Sequence, residues 1–351
     1  MANRKILLKA TENKNDEFYT LWDDISAEVS RYKSQLKGKR ILCPCDWDES
    51  FNEEIVYKEE GYVPSYNLFD KGGFVKKIDI KKSKKKIEKD LSLINCNFVK
   101  FLVSHAEGYK IKSISVSGYD PSKKKGVKFQ NIDYSKYDLV ITNPPFSRFR
   151  EFIDLMFQKN IKFLVIGPVT ALTYKEIFIK IKENKMWLGY AKQLTGFRLI
   201  DGTLISSKQK KEGSVPRGCK WYTNLNVTYR NDRMILTENY TSKNYPKYYN
   251  FDAIEVDKTD KIPHDYNGIM GVPVTFLSKY NPNQFKIIAK GVQTKKTRSF
   301  KGDRAALWIK GDHPKNKKKT KKMNINGKVT KLYAPFERIL IKNKIKKKNE
   351  G

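Results

Sequence analysis

Apolar side chains recur at three- and four-residue steps through residues 20–36 (TLWDDISAEVSRYKSQL), at Leu21, Ile25, Val29, Tyr32 and Leu36. That spacing predicts a helix with one buried face, ended at Gly38. Lys39 to Cys45 (KRILCPC) then predicts a short buried strand leading into Asp46. Residues 76–90 (KKIDIKKSKKKIEKD) carry eight lysines against three acids and read as a solvated or phosphate-facing segment. The pattern sharpens at Tyr137–Thr142 (YDLVIT), a continuous apolar run rich in β-formers, halted by Asn143-Pro144-Pro145. Arg148 to Gln158 places Phe149, Phe152, Ile153 and Phe157 on one helical side, and Lys162–Gly167 (KFLVIG) reads as a second buried strand. Thr173 and Glu176 have the spacing of a capping box for a helix running to about Asn184, and Met186–Tyr190 predicts a third strand. Near-continuous apolar strands alternating with helices predict an α/β unit whose parallel sheet is covered on both faces.

The texture changes after about residue 195. Gly-, Ser- and Lys-rich loops alternate with short strand candidates such as Lys220–Tyr229, and Asn326-Gly327 between β-like runs predicts a hairpin turn. Residues 309–351 hold fourteen Lys and one Arg against three acids, a local balance of +12. The expected organisation is an α/β domain over 1–230 and a basic α+β region over 231–351, with the boundary between 190 and 240. No internal repeat is visible.

Charge narrows the partners. Among 351 residues, 71 Lys plus Arg face 38 Asp plus Glu, for a net +33. That balance points to a polyanion, and the 13% aromatic content supplies material for packed cores. An AT-rich genome explains a preference for Lys over Arg but not the shortage of acids. Four cysteines do not make a disulfide framework, and a reduced, cytoplasmic setting is expected. The longest apolar stretch, Phe163–Leu172, is too short to span a bilayer, and no membrane association is expected. Cys43, Cys45, Cys96 and Cys219 lack paired CxxC spacing, and His105, His264 and His313 form no HxH or HExxH arrangement, so no metal is expected.

The tetrapeptide Asn143-Pro144-Pro145-Phe146 carries the chemistry. It stands at the carboxyl end of a predicted buried strand, where open α/β sheets place ligands. Consecutive prolines fix φ and remove N–H donors, making a rigid turn with outward carbonyls. The Asn143 side-chain oxygen and the Pro144 carbonyl can accept both hydrogens of one exocyclic amino group, while Phe146 offers a face for a planar base. Such an arrangement suits adenine, whose amino lone pair is delocalised into the ring. Two acceptors favour a more tetrahedral nitrogen with its lone pair aimed at an electrophilic methyl group. Positioning and electrostatics would carry the rate, on a base flipped out of its stack.

Asp138–Ser147 (DLVITNPPFS) resembles the catalytic motif of amino-group S-adenosylmethionine-dependent methyltransferases. More narrowly, the chain resembles the EcoRI-type DNA adenine methyltransferases. The resemblance is carried by NDEFYT (15–20), ILCPCDWDES (41–50), DLVITNPPFSRFREF (138–152), TYKEIF (173–178), ENKMWLG (183–189), WYTNLNV (221–227), YPKYYNFDAIEV (245–256), DYNGIMGVPVTFL (265–277) and FERILIKNK (336–344). It implies a doubly wound, Rossmann-like domain, S-adenosylmethionine as methyl donor, an N6-adenine product and a C-terminal region that recognises double-stranded DNA. It further implies the modification half of a restriction–modification pair, with a cognate endonuclease, GAATTC as a candidate target and association with the nucleoid.

Carried over by position, the resemblance assigns Asn143, Pro144, Pro145 and Phe146 to the catalytic corner. It assigns Asp16, Phe18, Tyr19 and Thr20 to the methionine end of the cofactor, Cys43 and Asp46 to the first-strand loop, and Asp133 to the cofactor's adenine, with Asp120 competing. That first loop departs from the wider superfamily, because no Gly occurs between Lys39 and Glu60. Pro44-Cys45 also matches the nucleophile dipeptide of C5-cytosine methyltransferases, although the rest of that apparatus is not visible. Phosphate contacts are expected from Lys317, Lys318 and Lys319, and DNA contacts from Tyr245 and Lys247. The competing readings are an RNA adenine methyltransferase and a non-catalytic DNA-binding protein on the same fold.

Overall fold

The computed structural model describes residues 19–47, 56–63, 73–89, 96–120, 125–191, 194–198, 203–206, 218–291, 307–314, 320–325 and 327–344. The chain divides into two compact units, one of residues 1–177 with 185–227, the other of 178–184 with 228–351. No helix among the described residues is long and apolar enough to cross a membrane.

The first unit is α/β, built on an eight-stranded mixed sheet. Its centre is Arg40–Cys43, which pairs in parallel with Ser113–Val116 on one side and Leu139–Thr142 on the other. Leu139–Thr142 pairs in parallel with Lys162–Pro168. Each strand is short and apolar because both faces are covered; all four residues of Leu139–Thr142 are buried. Chain order reverses at Arg40–Cys43, and ligands of open α/β sheets gather at the carboxyl edge of such a reversal.

The helix expected over 20–36 forms as Trp22–Val29, a 3₁₀ turn Ser30–Tyr32 and a last turn Lys33–Leu36. Ile25, Val29, Tyr32 and Leu36 are fully buried, and Gly38 stops the helix at φ 72°. Phe149–Gln158 is helical and buries Phe149, Phe152, Ile153 and Met156. Gly167 lets this helix approach the sheet, since a Cβ there would lie 2.3 Å from the Phe149 ring.

The sheet refines three expectations. Trp187–Leu188 does not join Lys162–Pro168 directly; Cys219–Thr223 inserts between them, antiparallel to both. Its sequence CKWYT reads as a strand, but nothing local says which neighbours it pairs with. The lysine-rich stretch 76–90 is largely solvated as expected, but it has regular structure: it contributes the end of strand Gly73–Ile78 and the helix Ile80–Lys89, which buries Ser83 and Ile87 while its lysines coat the outside. The helix over 173–184 is shorter, Lys175–Lys182, and the Thr173 hydroxyl donates back to the Thr170 carbonyl, closing a 3₁₀ turn.

In the second unit, the described residues from 228 onward form strands and 3₁₀ turns without an α-helix. Its residues alternate or break at Pro and Asn instead of sustaining a 3.6-residue period. Ile254–Glu255, Met270–Pro273, Arg338–Asn343 and Phe285–Lys290 form one sheet in that order; Ile309–Lys310, Lys328–Tyr333 and Lys321–Ile325 form another. Tyr248, Ala253, Leu307, Ile309 and Leu340 make a shared core. Behind it, Arg338 pairs with buried Glu255, which also accepts from the Tyr248 hydroxyl.

Candidate active site

The turn Asn143–Phe146 follows directly on Leu139–Thr142 at the sheet's carboxyl edge. Asn143 and Pro145 are part-exposed, whereas Pro144 and Phe146 are buried. The Pro145 carbonyl accepts from Arg148 N–H at 3.0 Å, turning the chain into the helix Phe149–Gln158. The Arg148 guanidinium forks onto Glu151 at 2.8 Å through both Nε and Nη2. The corner is thus braced from behind by one helix and from below by one strand.

Asp46 ties the corner to the first-strand loop. It is 8% exposed, accepts from the Thr142 hydroxyl and takes the Cys96 thiol at 3.7 Å. Asp46 N–H and Trp47 N–H both donate to the Ser117 carbonyl at 3.1 Å, and the Ser117 hydroxyl donates to Pro44 O. Trp47 lies so close to Gly118 that a Cβ there would sit 2.9 Å from the Cβ of Trp47. Packing and hydrogen bonds thus fix residues 44–47 at the strand end.

The N-terminal segment arrives by a different route. Tyr19–Thr20 pairs antiparallel with Gly196–Arg198, Thr20 opposite Phe197. Phe197 meets Phe146 edge-to-face, centroids 6.1 Å apart. Asn97 Nδ2 donates to the Thr20 carbonyl at 2.8 Å. Neighbouring residues Cys96 and Asn97, at the start of helix Asn97–His105, thus grip the first-strand loop and the N-terminal segment respectively. The Thr20 hydroxyl is buried with no hydrogen-bond partner among the described residues. A buried donor of that kind fits a polar ligand group. With Asp46 close to the corner, the donor set suits the cofactor implied by the resemblance. Asp16 and Phe18 lie outside the described residues.

Two buried carboxylates anchor the backbone ahead of Gly196–Arg198. Asp24 accepts from Thr195 N–H and hydroxyl, and Glu28 from Tyr190 N–H, Ala191 N–H and the Tyr32 hydroxyl. Burial raises both carboxyls above their usual range, against the opposing pull of these bonds. At the sheet's other end Arg40 forks onto Asp138, and its hydrogen bond carries that carboxyl down to about 2.

Other expected site residues fall elsewhere. Asp133 is exposed and caps the 3₁₀ turn Tyr134–Lys136, accepting from Ser135 N–H and hydroxyl. Burial, then the Asp46 carboxylate, holds the Cys45 thiol well above its ordinary range, the reverse of an activated nucleophile. Cys43 is buried and pushed up for the same reasons. Tyr245 is 5% exposed, and its hydroxyl donates to the Lys261 carbonyl. Lys247 is exposed. Lys317, Lys318 and Lys319 lie outside the described residues. Sequence reasoning missed Cys96, Asn97, Ser117 and Phe197, which belong to no motif; only the apolar run beginning at Phe98 could have flagged the helix that presents the first two. A cleft of about 600 Å³ lies over Arg150, Glu151 and Asp154 with Gln130 and Glu176, and none of residues 143–146 lines it.

The family described as adenine-specific methyltransferase EcoRI matches residues 6–59 and 131–344. Over 98% of both chains, this sequence is 35% identical to the type II methyltransferase M.EcoRI of Escherichia coli. It is 34% identical to M.MgeORF184P of Mycoplasma genitalium and 32% identical to M.MpnI of Mycoplasma pneumoniae, both type II methyltransferases, covering 80% of this chain and 84% of each relative. No solved structure matches. A rigid Asn-Pro-Pro-Phe corner at the sheet edge and a match along nearly the whole chain lead to one assignment: the chain belongs to the EcoRI-type adenine-specific methyltransferase family and is a DNA methyltransferase.

Proposed function

We propose that the chain transfers a methyl group from S-adenosylmethionine to the N6 amino group of an adenine flipped out of duplex DNA, as the modification half of a restriction–modification pair. GAATTC is the candidate site, and a cognate endonuclease acting there is the expected partner. One observation carries this reading: the part-exposed Asn143 in a diproline corner, joined through Thr142 and Asp46 to the first-strand loop. The sheet order, reversing at Arg40–Cys43, supports a doubly wound, Rossmann-like reading of the first unit. The second unit, with its excess of lysine, is assigned to holding the target, and Lys317, Lys318 and Lys319 to phosphates. Such binding places the protein on the nucleoid.

The cofactor, when bound, supplies a methyl group activated on a sulfonium. The chain's own residues hold and orient. Asn143 Oδ1 and the Pro144 carbonyl accept the two amino hydrogens of adenine and direct its lone pair outward. Phe197 packs edge-to-face against the Phe146 ring, and adenine is assigned to stack beside that pair. Thr20 and Asp46 are assigned to the donor's polar groups, and Tyr19 with Cys43 to its walls. Asp133, already capping a turn, and the residues Asp16 and Phe18 complete the assigned set.

A labelled-methyl transfer assay comparing duplex DNA with structured RNA tests the substrate. Sequencing DNA from cells that express the protein then reads product and site together. Label in RNA alone, or N4-methylcytosine as product, would overturn the reading.

A further inference from the structure

The hairpin formed by Lys321–Ile325 and Lys328–Tyr333 has two unlike faces. Cross-strand partners share a face, and residues alternate along each strand. Lys322 lies opposite Lys331, and Asn324 opposite Val329. All four are exposed, Val329 at 71%. The other face holds Leu332, fully buried, with Met323, Thr330 and Ile325 half-buried; of its two exposed lysines, Lys328 sits beside the turn and Lys321 lies over the Trp308 ring at 5.4 Å. The hairpin is therefore seated on one face and bare on the other. No acid occurs between Thr320 and Tyr333, and Gly327, at φ 80°, closes a tight turn.

A two-stranded ribbon fits the major groove of B-DNA. Along the bare face, lysine sits toward the base of the ribbon, where phosphates run. One of the two, Lys331, reaches Asp312 at 2.9 Å and is held in place. An amide and a branched apolar group sit side by side toward the tip, where base edges lie. An Asn side chain presents one acceptor and one donor, matching adenine N6 and N7, and a Val methyl fits the thymine C5-methyl. We infer that this face enters the major groove of the target duplex, with Asn324 and Val329 reading an A·T-containing step and Lys322 contacting phosphate. The inference rests on the duplex-DNA reading above and supplies its base-reading element.

The test uses the full chain and a pool of duplexes randomised over six base pairs, scored by which members become methylated. Asn324→Ala lowers affinity for the wild-type consensus about tenfold or more and relaxes discrimination at one A·T pair. Val329→Ala does the same more weakly and no longer distinguishes thymine from uracil at the contacted position. Lys322→Ala weakens binding to all sequences alike and reduces the salt slope by about one. All three positions are exposed, so unchanged thermal unfolding accompanies these effects. If both tip variants keep the wild-type consensus and affinity, the hairpin is not the reader, although the activity stands. A pool that the wild-type protein leaves unmethylated overturns the DNA reading and this assignment with it.

Discussion

Asp46 is held from two sides, by the Thr142 hydroxyl and the Cys96 thiol, in a position with 8% exposure. A buried carboxylate that loses a donor keeps its desolvation cost. Thr142→Val therefore destabilises the fold by about 1–3 kcal/mol, read from urea unfolding, and lowers methyl transfer because the first-strand loop loosens beside the corner. Asn143→Ala acts differently. The residue is half-buried in a turn fixed by two prolines, so the fold is retained, while kcat falls by roughly 100-fold or more with DNA affinity retained. Turnover near wild type in that variant removes Asn143 from the chemistry.

At the scale of elements, close approach between helix Phe149–Gln158 and strand Lys162–Pro168 positions the corner, because the helix begins where the Asn-Pro-Pro-Phe turn ends. Gly167→Ala puts a methyl 2.3 Å from the Phe149 ring. Overpacking there costs about 1–3 kcal/mol, and the helix start shifts, so thermal stability and kcat decline together. The fork between Arg40 and Asp138 joins the starts of two central strands. Its carboxyl is depressed to about 2, so its contribution is fully present above about pH 4 and is lost as pH falls toward 2. Asp138→Asn flattens the acid limb of the stability curve in that window. Asp24 and Glu28 work in the opposite sense, since raised carboxyls weaken the fold as pH climbs through their titration.

For the whole molecule, the governing quantity is +33 on 351 residues. Binding to duplex DNA should fall steeply with salt, by about 0.9 logarithmic units per phosphate contact for each decade of salt. Reversing Lys317, Lys318 and Lys319 weakens binding across all sequences and flattens that slope, which fluorescence titration at several salt concentrations measures directly. An unchanged slope makes that run a bystander.

Local pattern sufficed wherever local physics decides. The period of Ile25, Val29, Tyr32 and Leu36, the apolar run 139–142 and the diproline stop each follow from a few neighbouring residues. With them the Asn-Pro-Pro-Phe turn at the end of a buried strand was legible, and so was the lopsided charge. Pairing partners were not, because a strand's sequence states which faces are apolar but not which strand lies beside it; hence the insertion of Cys219–Thr223. Nor could sequence show that Cys96 and Asn97 bridge Asp46 and Thr20, or that Phe197 packs against Phe146, since those contacts join segments far apart in the chain. Whether an aromatic near lysines, such as Tyr245, faces inward or outward likewise follows from packing that only the tertiary fold sets.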